Sequence, residues 1–136
     1  MFSEYILSRT TPGKTPNLFI WGFRPAVYFL CGSLGPSRFC YNLPLRADWS
    51  PPDWREELER EVMAQPPDFI LIGRGDNFGW VVGNNRMSEE TMPPWLRRER
   101  DAHFYLAMRE KRMELWERDR ATNPGEGEKE RPRDPS

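Results

Sequence analysis

The chain has 136 residues, which is enough for one domain with a hydrophobic core and too few for two. Its 20 basic and 21 acidic residues nearly balance, so the formal net charge of −1 gives no general attraction to nucleic acid or to an anionic membrane surface. Hydrophobic residues make up 38% of the chain, but no apolar run approaches the roughly 20 residues that span a bilayer. We therefore expect one soluble domain without a nucleic-acid partner.

A short amphipathic helix is predicted at the N-terminus. Phe2, Tyr5, Ile6 and Arg9 recur at helical spacing, so that one face is apolar and the other polar. The helix starts at the first residue without a capping residue, and we expect it to continue a segment that lies upstream.

A buried strand follows at residues 18–21 and runs into a second helix. Its four consecutive apolar residues have the strand preference that burial on both faces requires. Pro25 suits the first position of the helix, and Gly32 suits the residue that ends it. Alternating side chains then predict a second strand over residues 37–42, followed by a loop over residues 43–49.

A third helix is predicted to begin at Ser50, which can cap it, with Pro51 in the first turn and Asp53 near the positive helix end. Another continuous apolar run closed by glycine, over residues 68–73, predicts a further buried strand. The order of these elements indicates an α/β fold with a small, Rossmann-like parallel sheet (βαβαβ). The predicted core consists of Phe19, Ile20, Trp21, Leu30, Phe39, Leu58, Val62, Ile70, Leu71 and Ile72.

The charged segment over residues 95–120 supports two predictions. Its residues have high helix propensity, which favours one long helix. Apolar residues alternate on both sides of residues 110–112, which favours a hairpin with its turn there. Residues 123–136 have no apolar side chain to offset the entropy of ordering, so we expect a disordered charged tail over residues 119–136 after a domain of residues 1–118.

The cysteine and histidine counts exclude several chemistries. Cys31, Cys40 and the single His103 are too few for a four-ligand zinc site without carboxylates, and no phosphate-loop or dinucleotide motif is present. We therefore expect no metal, no cofactor and no catalytic residue. The two cysteines are expected to be small buried hydrophobic residues, with a disulfide between them as the alternative. His103 is expected to be a half-exposed polar residue.

The carboxyl ends of the two buried strands form the predicted ligand or docking edge. Ligands of parallel α/β sheets bind in the crevice beyond such ends, which here carry Gly22, Gly73, Arg74 and Asp76. Arg24, at the start of the second helix, adds a positive charge that suits a phosphate or a carboxylate. The alternative is that Arg24 pairs with Asp76 and fastens two loops together.

Several short motifs resemble one family. They lie at residues 21–25 (WGFRP), 28–30 (YFL), 36–39 (PSRF) and 66–72 (PPDFILI). They are similar to the C-terminal soluble part of bacterial membrane glycosyltransferases of the dolichyl-phosphate-mannose protein mannosyltransferase and aminoarabinose transferase type, which have the C-type glycosyltransferase fold. The likeness covers roughly residues 2–118. Because such chains often finish in a strand that residues 113–118 resemble, the resemblance favours a C-terminal β-hairpin over residues 103–118.

The resemblance implies a small α/β domain on the outer face of the cytoplasmic membrane, preceded by a bundle of membrane helices. Its expected partner is the membrane-embedded portion of a parent glycosyltransferase, and a polyprenyl-phosphate sugar or its acceptor is a further expected ligand. The family's catalytic acidic residue lies in the membrane portion, so this chain carries no residue to which that role transfers. We expect either a fragment or a short reading frame left from a longer gene.

Two functions follow from different classes of protein. The first is a non-catalytic accessory domain of a membrane glycosyltransferase. The second is a free-standing small α/β protein that binds a partner or a nucleotide-like ligand, because such folds host many unrelated functions. A reading frame with several apolar stretches upstream of Met1 would distinguish the first from the second.

Overall fold

A computed structural model describes residues 2–22, 25–33, 35–37, 39, 42–47, 49–75, 86–110 and 112–119. Their helices and strands, in chain order, are α1 (Phe2–Ser8), β1 (Leu18–Trp21), α2 (Pro25–Cys31), α3 (Leu43–Arg46), α4 (Pro52–Ala64), β2 (Phe69–Gly73), α5 (Ser88–Thr91), α6 (Pro94–His103), β3 (Phe104–Glu110) and β4 (Met113–Arg118).

The four strands form one mixed sheet in the order β1-β2-β4-β3. β1 and β2 are parallel, and Trp21 lies beside Ile72 at their carboxyl ends. β4 is antiparallel to β2 and to β3, so β3 and β4 form a hairpin with a bulge between Leu106 and Met108. The predicted α/β class and C-terminal β-hairpin are thus confirmed.

Each face of the sheet carries its own apolar core, because alternate residues of the strands point to opposite sides. On one face the strand residues pack against α4 and α6. On the other face they pack against α1 and α2. The first core contains Phe19, Trp21, Phe39, Leu45, Leu58, Val62, Ile70, Ile72, Met92, Trp95, Leu96 and Phe104. The second contains Phe2, Ile6, Leu18, Ile20, Tyr28, Cys31, Phe69, Leu71, Met113 and Leu115.

One member of the predicted core is wrong. Leu30 is 60% exposed, whereas the other predicted core residues are buried. α2 buries Tyr28 and Cys31, which are three residues apart on one helical face. Leu30 therefore falls on the outer face together with Phe29.

The predicted strand over residues 37–42 is also corrected. Ser37, Phe39 and Asn42 lie outside any strand, and residues 38, 40 and 41 lie outside the described residues. The Ser37 hydroxyl accepts a hydrogen bond from the Phe39 amide at 3.2 Å, which is a local turn contact in place of a strand ladder.

Two helices differ from the prediction, one in where it begins and one because a loop was predicted there. α4 has Pro51 at its N-cap in place of Ser50, with no side-chain capping bond, so the helix begins one residue later than expected. The predicted loop over residues 43–49 contains the short helix α3 at residues 43–46, whose proline lies in the first turn, where its missing N–H needs no partner.

The remaining predictions concern single residues and the chain end. Cys31 is a buried free thiol, so it forms no disulfide, and Cys40 lies outside the described residues. His103 is half-buried, as expected. Asp119 is buried, and its amide donates to the His103 carbonyl at 2.7 Å, whereas residues 120–136 of the predicted tail lie outside the described residues. None of the described helices has the length and hydropathy needed to cross a membrane.

Candidate functional site

The carboxyl ends of β1 and β2 meet at two glycines in van der Waals contact. A Cβ atom added to Gly22 would lie 3.0 Å from the Gly73 nitrogen and 3.2 Å from its Cα. Only glycine at position 22 allows the two backbones to approach this closely. The structure therefore brings together three predicted site residues, Gly22, Gly73 and the adjacent Arg74. Arg24 and Asp76 lie outside the described residues, and so does the alternative pairing between them.

Arg74 is held by a buried carboxylate on β4. Its Nη1 donates to Oε2 of Glu114 at 2.7 Å, and Nη2 of Arg109 donates to the same oxygen at 2.8 Å. The other oxygen accepts from Nε1 of Trp116 at 3.2 Å. The Glu114 side chain is 4% exposed, but those of Arg74 and Arg109 are 50% and 59% exposed. One buried carboxylate thus orients two arginines whose outer edges face solvent.

These contacts decide the charge of Glu114. Burial alone would raise the pKa of its carboxyl group, because a charge is less stable away from water. The hydrogen bonds from Arg74 and Trp116, with the positive charges of Arg74 and Arg109, outweigh burial and hold that pKa below its ordinary value. Glu114 is therefore ionised at neutral pH.

A third arginine is fixed at the same edge. Nη1 of Arg112 donates to the carbonyl oxygen of Gly75 at 3.0 Å, and the Arg74 amide donates to the Arg112 carbonyl oxygen at 2.7 Å. The Gly75 amide donates to both carboxylate oxygens of Glu89 at 3.1 and 3.3 Å. We call Arg74, Arg109 and Arg112 the arginine cluster.

A buried polar group lies beneath this edge. Nε1 of Trp21 donates to the Ser88 carbonyl at 2.8 Å, and Nδ2 of Asn42 donates to the Ser88 hydroxyl at 2.7 Å. The Asn42 amide donates to the Gly22 carbonyl at 3.2 Å, but its side-chain oxygen has no hydrogen-bond donor in the described part of the chain. These bonds fix α5 against the end of β1.

A second buried carboxylate lies on the opposite face of β4. Glu117 is 3% exposed, and its Oε1 accepts hydrogen bonds from the hydroxyls of Tyr5 and Tyr105, both at 2.8 Å. Its Oε2 accepts from Nε of Arg9 at 3.0 Å. Burial, and then the bond to Glu117, raise the pKa of both tyrosines. The group ties α1 to the C-terminal hairpin.

A cavity of about 270 Å³ opens at the amino end of the parallel strands. It is lined by Arg9, Lys14 and Asp68, with threonines between them. Arg9 already pairs with Glu117, and the other two charged lining residues, Lys14 and Asp68, carry opposite charges. The described lining therefore has no excess charge to attract an ion.

The outer face of α2 is apolar and exposed. Phe29 is 84% exposed and Leu30 is 60% exposed. On the inner face, the Tyr28 hydroxyl accepts a hydrogen bond from the Ile20 amide at 2.8 Å. Gly32 ends the helix at φ +69°, and the amides of Gly32 and Ser33 donate to the carbonyls of Phe29 and Tyr28. α2 is thus firmly fixed to the sheet, so its exposed face is a feature of the folded state.

Glu114, Arg109, Arg112 and Glu89 were not among the predicted site residues. One signal was available, because a hairpin that pairs Glu110 with Met113 places Arg109 directly opposite Glu114. Among the described residues, no three histidine, cysteine or acidic side chains are grouped so that they could hold a metal ion. The described residues of the carboxyl edge are suited to binding an anion, and their side chains form no pair of a general acid and a general base.

Comparison with known proteins adds no relative: no family model matches the chain, and neither the curated proteins nor the solved structures give a significant match.

Proposed function

We propose that this chain is the extracytoplasmic accessory domain of a membrane glycosyltransferase that uses a polyprenyl-phosphate sugar. It lies on the outer face of the cytoplasmic membrane and packs against the membrane-embedded portion of the parent enzyme. It transfers no sugar by itself.

The observation that carries the proposal is the exposure of Phe29 and Leu30. The Tyr28-Phe29-Leu30 motif is part of the resemblance to these enzymes, and within it only Tyr28 has a role in the core. Full burial of a large apolar side chain contributes roughly 1.5 to 3 kcal/mol, so two such side chains can contribute much of a docking contact. The membrane-embedded portion is the partner that the resemblance supplies. We assign its contact to this face of α2 and not to the carboxyl edge, where the sequence predicted docking.

The state of the buried carboxylates supports a non-catalytic role. Glu114 and Glu117 accept hydrogen bonds at both oxygens, from arginine and indole N–H groups in Glu114 and from phenolic and arginine groups in Glu117. A general acid or base works best with a pKa near the working pH, whereas the pKa of Glu114 is lowered. These two groups serve to hold arginines and tyrosines in place.

The genomic DNA upstream of the Met1 codon provides a direct test. We expect it to encode, in frame or in a frame interrupted near Met1, several apolar stretches of about 20 residues each. A ribosome-binding site at Met1 with no such frame upstream would contradict the proposal and favour a free-standing binding protein.

A turnover assay tests the non-catalytic role separately. Purified chain 1–136 is expected to release no carrier lipid from a polyprenyl-phosphate sugar in the presence of acceptor. Release that is lost when one of the chain's own acidic residues is changed to its amide would overturn this part of the proposal.

A further inference from the structure

The arginine cluster has more hydrogen-bond donors than its protein contacts use. A guanidinium carries five N–H groups. Arg74 and Arg109 each place one terminal nitrogen on Glu114, and Arg112 places one on the Gly75 carbonyl. The side chains of Arg74 and Arg109 are 50% and 59% exposed, and Arg112 is also exposed. Each arginine therefore keeps donors that point away from its protein contact.

The charges of the described residues at this edge do not balance. Among these residues, the guanidiniums of Arg74 and Arg109 contact one carboxylate, that of Glu114, and the Arg112 guanidinium contacts a carbonyl oxygen. The Glu89 carboxylate is bonded to the Gly75 amide and, within the described part of the chain, to no guanidinium. One arginine would be enough to pair Glu114, yet two share a single oxygen of it. The excess positive charge lies on the exposed side, because the carboxylate that holds the pair is buried.

We propose that the arginine cluster binds a phosphate group, either of a lipid headgroup or of a soluble phosphate ester. Guanidiniums match phosphate because two parallel N–H groups can donate to two of its oxygens. Two guanidiniums that share one carboxylate oxygen lie side by side and can contact the same phosphate. The inference stands on the arginines alone and is independent of docking through α2.

The cluster is organised before the ligand arrives, which lowers the entropic cost of binding. Glu114 orients Arg74 and Arg109 through bonds of 2.7 and 2.8 Å. The hydrogen bond from the Arg74 backbone amide to the Arg112 carbonyl oxygen fixes the hairpin end beside β2. A mobile arginine side chain would lose conformational freedom when it binds a ligand. The side chains of the cluster have already lost much of that freedom on folding.

The test is a titration of the ¹⁵N-labelled chain with inorganic phosphate at low ionic strength, with chloride at the same ionic strength as the reference. We expect the Nε–Hε signals of Arg74, Arg109 and Arg112 to shift with phosphate and not with chloride. In Arg112→Gln, which leaves both arginines on Glu114, the dissociation constant is expected to rise by about tenfold. Arg60→Gln, which removes an exposed arginine on α4, should leave it unchanged.

Vesicle sedimentation distinguishes the two sources of phosphate. If the ligand is a headgroup, the chain will sediment with phosphatidylcholine vesicles that contain phosphatidylglycerol and not with phosphatidylcholine alone, and Arg112→Gln will release it. Binding of inorganic phosphate without vesicle binding assigns a soluble ester. Absence of both, or binding that Arg109→Gln and Arg112→Gln leave unchanged while both variants remain folded, would overturn the proposal.

Discussion

At the residue scale, the contact between the backbones of β1 and β2 at the carboxyl edge depends on the missing side chain of Gly22. The Gly22→Ala variant places a methyl group 3.0 Å from the Gly73 nitrogen, so β1 and β2 must separate. We predict a loss of about 2 to 3 kcal/mol in the free energy of unfolding, measured by urea denaturation. Gly32→Ala is the comparison, since its Cβ would meet nothing within 4 Å and only its φ of +69° is unfavourable. It should cost about 1 kcal/mol. A smaller loss for Gly22→Ala than for Gly32→Ala would contradict the contact.

Glu114 gives the stability a dependence on acid pH. Its pKa in the folded chain lies below the ordinary value of 4.5, so it stays ionised at a pH where the unfolded chain is already protonated. Its contribution is therefore complete above the unfolded pKa and is lost as the pH falls through the folded pKa. We predict that Glu114→Gln lowers the free energy of unfolding by about 1 to 3 kcal/mol at pH 7.

The difference between wild type and Glu114→Gln should shrink as the pH falls below 4.5, in urea titrations repeated at each pH. Glu56→Gln, which changes an exposed residue of α4, is the control and should leave the pH profile unchanged. A difference that stayed constant from neutral to acid pH would show that Glu114 is not the titrating group.

At the element scale, Tyr5 attaches α1 to the hairpin by donating to Glu117 of β4, whose same oxygen also accepts from Tyr105 of β3. Tyr5→Phe and Tyr105→Phe each remove one hydrogen bond to the same buried oxygen and leave the other. We predict a cost of about 1 to 2 kcal/mol for each. The double variant leaves that oxygen without a donor, so its cost should exceed the sum of the single costs.

Unfolding measurements on the three tyrosine variants test this coupling. Ser8→Ala, which removes an exposed hydroxyl bonded to the Tyr5 carbonyl, should change stability by less than about 0.5 kcal/mol. Additive costs for the two tyrosines would mean that they act on separate partners.

The elements also differ in how far the sequence determines them. β1 and β2 are predictable because continuous apolar runs closed by glycine allow few other structures. The hairpin is harder, because the charged residues of β3 and β4 favour a helix, and burial of Phe104, Met113 and Leu115 overrides that preference. The strand predicted over residues 37–42 is wrong because a local contact overrides the alternating pattern. The Ser37 hydroxyl accepts a hydrogen bond from the Phe39 amide, which forms a local turn.

At the scale of the whole molecule, the site was predictable only where it follows directly from chain order. Arg74 comes immediately after a buried strand, so its position at the carboxyl edge follows from the parallel pairing of β1 and β2. Glu114 and Arg109 reach the same edge only because β4 inserts next to β2, antiparallel to it. The position of β4 in the strand order depends on long-range packing, and a local pattern of residues does not specify it.

The same scale separates the two candidate surfaces. The arginine cluster lies at the carboxyl edge and on the hairpin, whereas Phe29 and Leu30 lie on the outer face of α2. Variants of one surface are therefore not expected to affect the other, because residues without shared partners act independently. Docking and phosphate binding can be tested in the same preparations.

The most direct measurement of the central claim is co-purification of the chain with the membrane-embedded portion that we propose is encoded upstream, the two being expressed as separate polypeptides and extracted in mild detergent. We predict that the wild-type chain is retained and that Phe29→Ser combined with Leu30→Ser is lost. Met63→Ser, which changes an exposed apolar residue of α4, should be retained like wild type. Failure of the folded wild-type chain to co-purify, or equal retention of the double variant, would contradict the claim that this chain is a docking domain of that enzyme.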